Sequence, residues 1–152
     1  MAAKFGVALV VTSRRLSLSE LAARLERQPQ PGSHDRGEQR GKPGDSLIWS
    51  CTVWREHARD SDASVYAQCT QLLREMPPIC AELLATEADD ISVILDVAVF
   101  YDGAYCDFMM PRSLIGQLAA KGVDFEITAY PVSHSAGAEE APETALSTPP
   151  QG

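Results

Sequence analysis

The chain has no long apolar run. The longest near its start covers residues 7–11, far below the ~20 apolar residues that a membrane helix needs. That run is also short for a secretory leader, and Arg14 and Arg15 stand where a small-residue cleavage site belongs. Positive charge is scarce, with 13 Lys or Arg against 21 Asp or Glu and a net charge of −8. This balance argues against extended binding to nucleic acid or to an anionic lipid surface. Cys51, Cys69, Cys80 and Cys106 include no C-x-x-C pair and have no histidine at metal-finger spacing. Buried free thiols, a cytoplasmic protein and no metal or cofactor are therefore expected.

Chemistry-bearing motifs are also missing. Gly37-Glu38-Gln39-Arg40-Gly41-Lys42 has three residues between its glycines where a P-loop has four, and Pro43 follows the lysine. No G-x-S-x-G elbow is present. His34, His57 and His134 show no helical pairing with a second ligand. No catalytic residue is assigned on these grounds.

What remains is a globular pattern: 152 residues, 45% apolar, suited to one domain over residues 1–133. Residues 4–12 alternate as a strand, and Ser17-Leu18-Ser19-Glu20 reads as a capping box opening a helix. Residues 29–45 form a long Gly- and Pro-rich loop, and 46–54 alternate as a second strand. Residues 64–87 keep helical phase across Pro77 and Pro78, which kink one helix or separate two. Residues 91–101 are the strongest strand, and Asp102-Gly103 predicts a hairpin returning over 105–110. Pro111 starts a helix that Gly122 ends, and 123–130 alternate as the last strand. Residues 134–152, rich in Ser, Ala, Glu and Pro, are expected to be disordered.

The order β-α-β-α-β-β-α-β predicts an α+β fold. It is a ferredoxin-like βαββαβ core preceded by an extra β-α unit, with helices on one face of a mainly antiparallel sheet. The opposite face would be wet, carrying Thr12, Ser50, Thr52, Trp54, Asp96, Asp124, Glu126 and Thr128.

Three stretches resemble the bacterial family known as domain of unknown function 4279. They are the first strand with Leu16-Ser17-Leu18-Ser19-Glu20-Leu21, the Arg36-Gly37-Glu38 loop leading to Ile48-Trp49-Ser50, and Lys121-Gly122-Val123-Asp124 running on to Tyr130. The resemblance spans residues 4–131 and implies a fold and a bacterial source, but no activity. Pro77-Pro78 and the four cysteines depart from the family pattern.

Candidate binding residues fall into two sets. Arg36, Arg40 and Lys42, among glycines, could hold a phosphate or carboxylate. Asp96, Asp124 and Glu126 would share the wet sheet face, with Trp54 as an exposed anchor and Trp49 in the core. The first reading is a non-catalytic protein-interaction or accessory module, of the kind that masks a basic partner, as an immunity protein does. A small-anion sensor and a carboxylate-based hydrolase or isomerase stay open as alternatives. Charge is divided along the chain, with ten Lys or Arg against six Asp or Glu in residues 1–59 and three against fifteen in 60–152. Oligomeric state is not legible, although an edge strand permits dimerisation.

Overall fold

A computed structural model describes residues 3–36, 51–78, 80–82, 90–103 and 107–132. These form strand β1 (Lys4–Ser13), helix α1 (Leu18–Leu25), β2 (Thr52–His57), α2 (Val65–Glu75), β3 (Ile91–Tyr101), α3 (Arg112–Lys121) and β4 (Asp124–Pro131). The fold is α+β. The four strands lie in the order β2-β1-β3-β4, with β1 antiparallel to both neighbours and β3 parallel to β4.

Strand alternation divides the sheet into two faces. Val7, Leu9 and Val11 of β1, Trp54 of β2 and Val93, Leu95, Val97 and Val99 of β3 point to one side. There they pack against Leu21 and Leu25 of α1, Cys69, Leu72 and Leu73 of α2, and Leu114 and Leu118 of α3. All three helices therefore cover the same face. Local chemistry sets their ends. The Ser17 hydroxyl accepts from the Glu20 N–H, and the Glu20 carboxylate accepts from the Ser17 N–H at 2.7 Å, the reciprocal arrangement expected of the box. Gly122, at φ 65°, closes α3. Met76, before Pro77, is extended at ψ 128° and ends α2, after which the N–H groups of Cys80 and Ala81 donate to the carbonyls of Pro77 and Pro78. Two helical pieces thus abut at the prolines.

Three expectations are corrected. Residues 107–110 form no strand, because β1 and β4 already occupy both edges of β3 and leave no place for a returning hairpin. Phe108 instead sets its ring 6.2 Å from Phe5 and 5.9 Å from Phe125, at the end of the core. The second strand, described over Thr52–His57, runs on past Trp54 to His57, and residues 46–50 of the expected strand lie outside the described residues. Trp54 is no exposed anchor: it is fully buried beneath the helices. Its neighbour Thr52 lies on the same side, where its hydroxyl finds the Leu16 carbonyl at 2.6 Å, so the polarity of Thr52 does not mark a wet face. Trp49, Ser50, Arg40, Lys42 and the segment 134–152 lie outside the described residues.

One side chain joins three elements behind the sheet. Arg27, just past α1, donates to both carboxylate oxygens of Glu56 at 2.8 and 2.6 Å and to the Glu75 carbonyl at the end of α2 at 2.8 Å. Both bonds to Glu56 come from Nη1 while Nη2 serves the Glu75 carbonyl, so this half-buried, charge-assisted contact fixes orientation as well as adding energy.

Candidate functional site

The face without helices has two different halves. Along it, register places Arg55, Val10, Ile94 and Asp124 in one row across the sheet, and His57, Ala8, Asp96 and Glu126 in the next. Small residues on β1 leave room above that strand. Arg55 crosses the space diagonally, and its Nη1 donates to Asp96 Oδ2 at 2.7 Å. Beneath this bridge Ala8, Val10 and Val53 are buried in a second apolar cluster, with Cys51 and Ile94 against it.

The start of the Gly- and Pro-rich loop closes this half from the side. His34 exchanges two backbone hydrogen bonds with Val53, at 2.9 and 2.8 Å, and the Gln30 N–H donates to the Arg55 carbonyl. The Ser33 hydroxyl accepts from the Arg55 N–H, and the Gln30 side-chain oxygen accepts from the His57 N–H. His57 Nε2 lies 3.1 Å from the Pro31 carbonyl. The loop is further anchored where Asp35 accepts from the Leu18 N–H at 2.6 Å and Arg36 donates to the Arg14 carbonyl. Arg36 thus holds backbone, while Arg40 and Lys42 lie outside the described residues.

The β3–β4 half is open. Asp96 and Glu126 are register partners, so two of the three expected carboxylates are lateral neighbours; Asp124 lies one row along, beside Ile94. Asp96 is already engaged by Arg55, while Asp124 and Glu126 are exposed. Beyond them Phe100 and Tyr130 stack with ring centroids 5.2 Å apart, and they remain 42% and 46% exposed. Sequence reading missed both of these aromatics and Arg55. A strand continued to His57 would have put Arg55 in phase with Val53. The aromatic pair follows only from the parallel register of β3 and β4.

Among the described residues no group of three or more His, Cys, Asp or Glu could hold a metal ion, and no helix is long and apolar enough to cross a membrane. Cys69 and Cys80 are fully buried free thiols, and burial pushes both up to about 11. They are inert where a reactive cysteine needs a lowered pKa. The arrangement as a whole is a surface on two paired strands, with exposed Asp124 and Glu126 along one stretch and the exposed aromatic stack two rows beyond Glu126, where Lys4 of β1 is the register partner of Phe100. No family model, curated protein or solved structure matches the chain.

Proposed function

We propose that the protein is a non-catalytic interaction module that docks a basic partner protein on the β3–β4 half of its open sheet face. The observation that carries this reading is the exposed Phe100–Tyr130 stack on the same sheet face as exposed Asp124 and Glu126, with the Ala98–Thr128 row between the stack and Glu126. A rigid aromatic pair supplies contact area at little entropic cost, and flanking charge supplies orientation and steering. The partner's complementary chemistry is an apolar centre bordered by Lys or Arg.

The test is capture on the immobilised chain at low and high salt, beside a Tyr130→Ala/Asp124→Asn/Glu126→Gln variant. The expected result is a basic partner retained at low salt, released as salt rises, and lost with the variant. Retention of nothing, or of a protein that the variant binds equally well, overturns the reading.

A further inference from the structure

The two edges of the sheet are finished differently. β2 forms one edge, and its outward backbone groups lie on Val53, Arg55 and His57. The loop from Gln30 to His34 meets the N–H of each. β4 forms the other edge. Its phase is set by the Val132 N–H, which donates inward to the Tyr101 carbonyl at 2.8 Å. Even-numbered residues of β4 therefore turn their backbone groups toward β3, and odd-numbered residues turn theirs outward. Phe125, Ile127 and Ala129 present three outward N–H and three outward C=O groups, and no described residue pairs with them. Pro131 stands in the next outward slot, where its missing N–H costs the β3–β4 ladder nothing.

Edge strands of monomers are ordinarily blunted by charged side chains, proline, bulges or cover. β4 carries Asp124 and Glu126 on its open face and Pro131 at its end, but its outward slots at Phe125, Ile127 and Ala129 hold neither a charge nor a proline, and Ile127 on the helix side is 44% exposed. We propose that this edge pairs antiparallel with β4 of a second copy of the chain, about a two-fold axis through Ile127, to give a continuous eight-stranded sheet. The sequence of the strand singles out that register. Centred on Ile127, the ladder pairs Ile127 with itself and Phe125 with Ala129 of the second copy. All six outward groups of each strand then find partners, and Pro131 falls beyond the ladder. Asp124 meets Tyr130 of the second copy and Glu126 meets Thr128, so no carboxylate faces another.

Neighbouring registers are worse. A centre on Phe125 sets Asp124 against Glu126, and a centre on Glu126 sets that residue against itself; like charges directly opposite destabilise a strand pair. A centre on Thr128 places Phe125 opposite Pro131, which has no N–H to give. The chosen register also brings the two exposed Ile127 side chains together on the helix side, where they extend the core.

This pairing rests on backbone groups of the edge and not on the partner-docking reading; it leaves the sheet face uncovered, although Asp124, Glu126 and Tyr130 border both surfaces. The two also respond oppositely to salt. Each copy carries a net charge of −8, so screening strengthens self-association, whereas it weakens capture of a basic partner.

Sedimentation equilibrium of the full chain over a range of concentrations tests the proposal. The expected result is a monomer–dimer equilibrium that shifts toward dimer with added salt. Ala129→Pro removes only an outward N–H, so it should return the mass to monomer while the thermal melt shows the chain still folded. Ile127→Cys should form a disulfide-linked dimer under mild oxidation, above the background of the unsubstituted chain, because residues paired across the axis lie within disulfide reach. Thr128→Cys should not, since each Thr128 faces Glu126 of the second copy. A chain that stays monomeric at all concentrations overturns the proposal, as it would if another segment of the chain or a different partner occupies the edge. So does a dimer that survives Ala129→Pro, or cross-linking through Thr128→Cys instead of Ile127→Cys.

Discussion

Arg55 and Asp96 are joined across an intervening strand. Nη1 of the arginine lies 2.7 Å from Oδ2 of the aspartate, over Ala8 and Val10 of β1. The bridge makes an aspartate tolerable within an otherwise apolar strand and covers a small apolar cluster. Both side chains are mostly withdrawn from water, so the pair stands between an exposed ion pair, at ~0.2–1 kcal/mol, and a fully buried one, whose breaking costs ~3–5 kcal/mol. A double-mutant cycle with Arg55→Ala and Asp96→Ala, read by urea unfolding, should give a coupling of about 1–2 kcal/mol. A coupling near zero would show that the bridge does not persist in solution.

Gly32 belongs to the same corner. Its φ is +92°, and a Cβ there would stand 3.1 Å from Arg55 Cδ. The contact involves a flexible side chain that can yield, but the backbone conformation cannot be relieved in that way. Gly32→Ala should destabilise the chain by about 1–2 kcal/mol, and most of that loss should remain in an Arg55→Ala background. Rescue by Arg55→Ala in chemical denaturation would instead assign the cost to the contact.

Trp54 gives a sharper test of the core. It is fully buried, and its Nε1 has no hydrogen-bond partner among the described residues. Trp54→Ala should cost about 3–5 kcal/mol through the cavity it leaves. Trp54→Phe should cost much less, because it removes the unpaired N–H, whose burial is itself unfavourable by ~1–3 kcal/mol. Equal losses for the two variants in urea unfolding would mean that the indole N–H is satisfied, by water for instance.

Trp54 also shows where sequence reasoning stops. The strands 91–101 and 123–130, the capping box and the Gly122 stop were legible because each is set by alternation or by one local hydrogen bond. The face of Trp54 was not, because Thr52 has the same phase and looks polar until the Leu16 carbonyl, distant in sequence, is found to accept its proton. Asp102-Gly103 has the composition of a hairpin, yet local turn chemistry says nothing about whether an edge of β3 is free. Of the candidate site, the common face of Asp96, Asp124 and Glu126 was legible from parity alone. The Arg55 bridge and the Phe100–Tyr130 stack depend on strand order and register, which no local pattern encodes.

The cap on α1 carries a pH signature. The Ser17 N–H and hydroxyl hold Glu20 below its ordinary 4.5. A carboxyl lowered in the folded state adds stability that is complete above the unfolded value and disappears as pH falls through the folded one. Thermal melts at about pH 6 and about pH 3 should therefore show a smaller acid loss for Glu20→Gln than for the unsubstituted chain. Ser17→Ala, which removes the hydroxyl partner, should cost about 1 kcal/mol at neutral pH. An identical acid limb in the chain and in Glu20→Gln would mean that the box is open in solution.

The buried thiols act at the other end of the scale, and with the opposite sign. Burial raises Cys69 and Cys80 from 9.0 to about 11, so the folded state keeps both protons while the unfolded chain has begun to lose them. Stability from this source is intact below pH 9.0 and is lost as pH rises toward about 11. Cys69→Ala and Cys80→Ala should each lower stability at about pH 8, since each opens a cavity, yet flatten the alkaline decline. The same burial protects the sulfurs from reagents. Iodoacetamide labelling of the native chain, mapped by mass spectrometry, should modify half-buried Cys51 well before Cys69 or Cys80. Early labelling of Cys80 would place it near water and remove the reason for its raised pKa. An unchanged alkaline slope in both alanine variants would show that these thiols do not govern the high-pH limit.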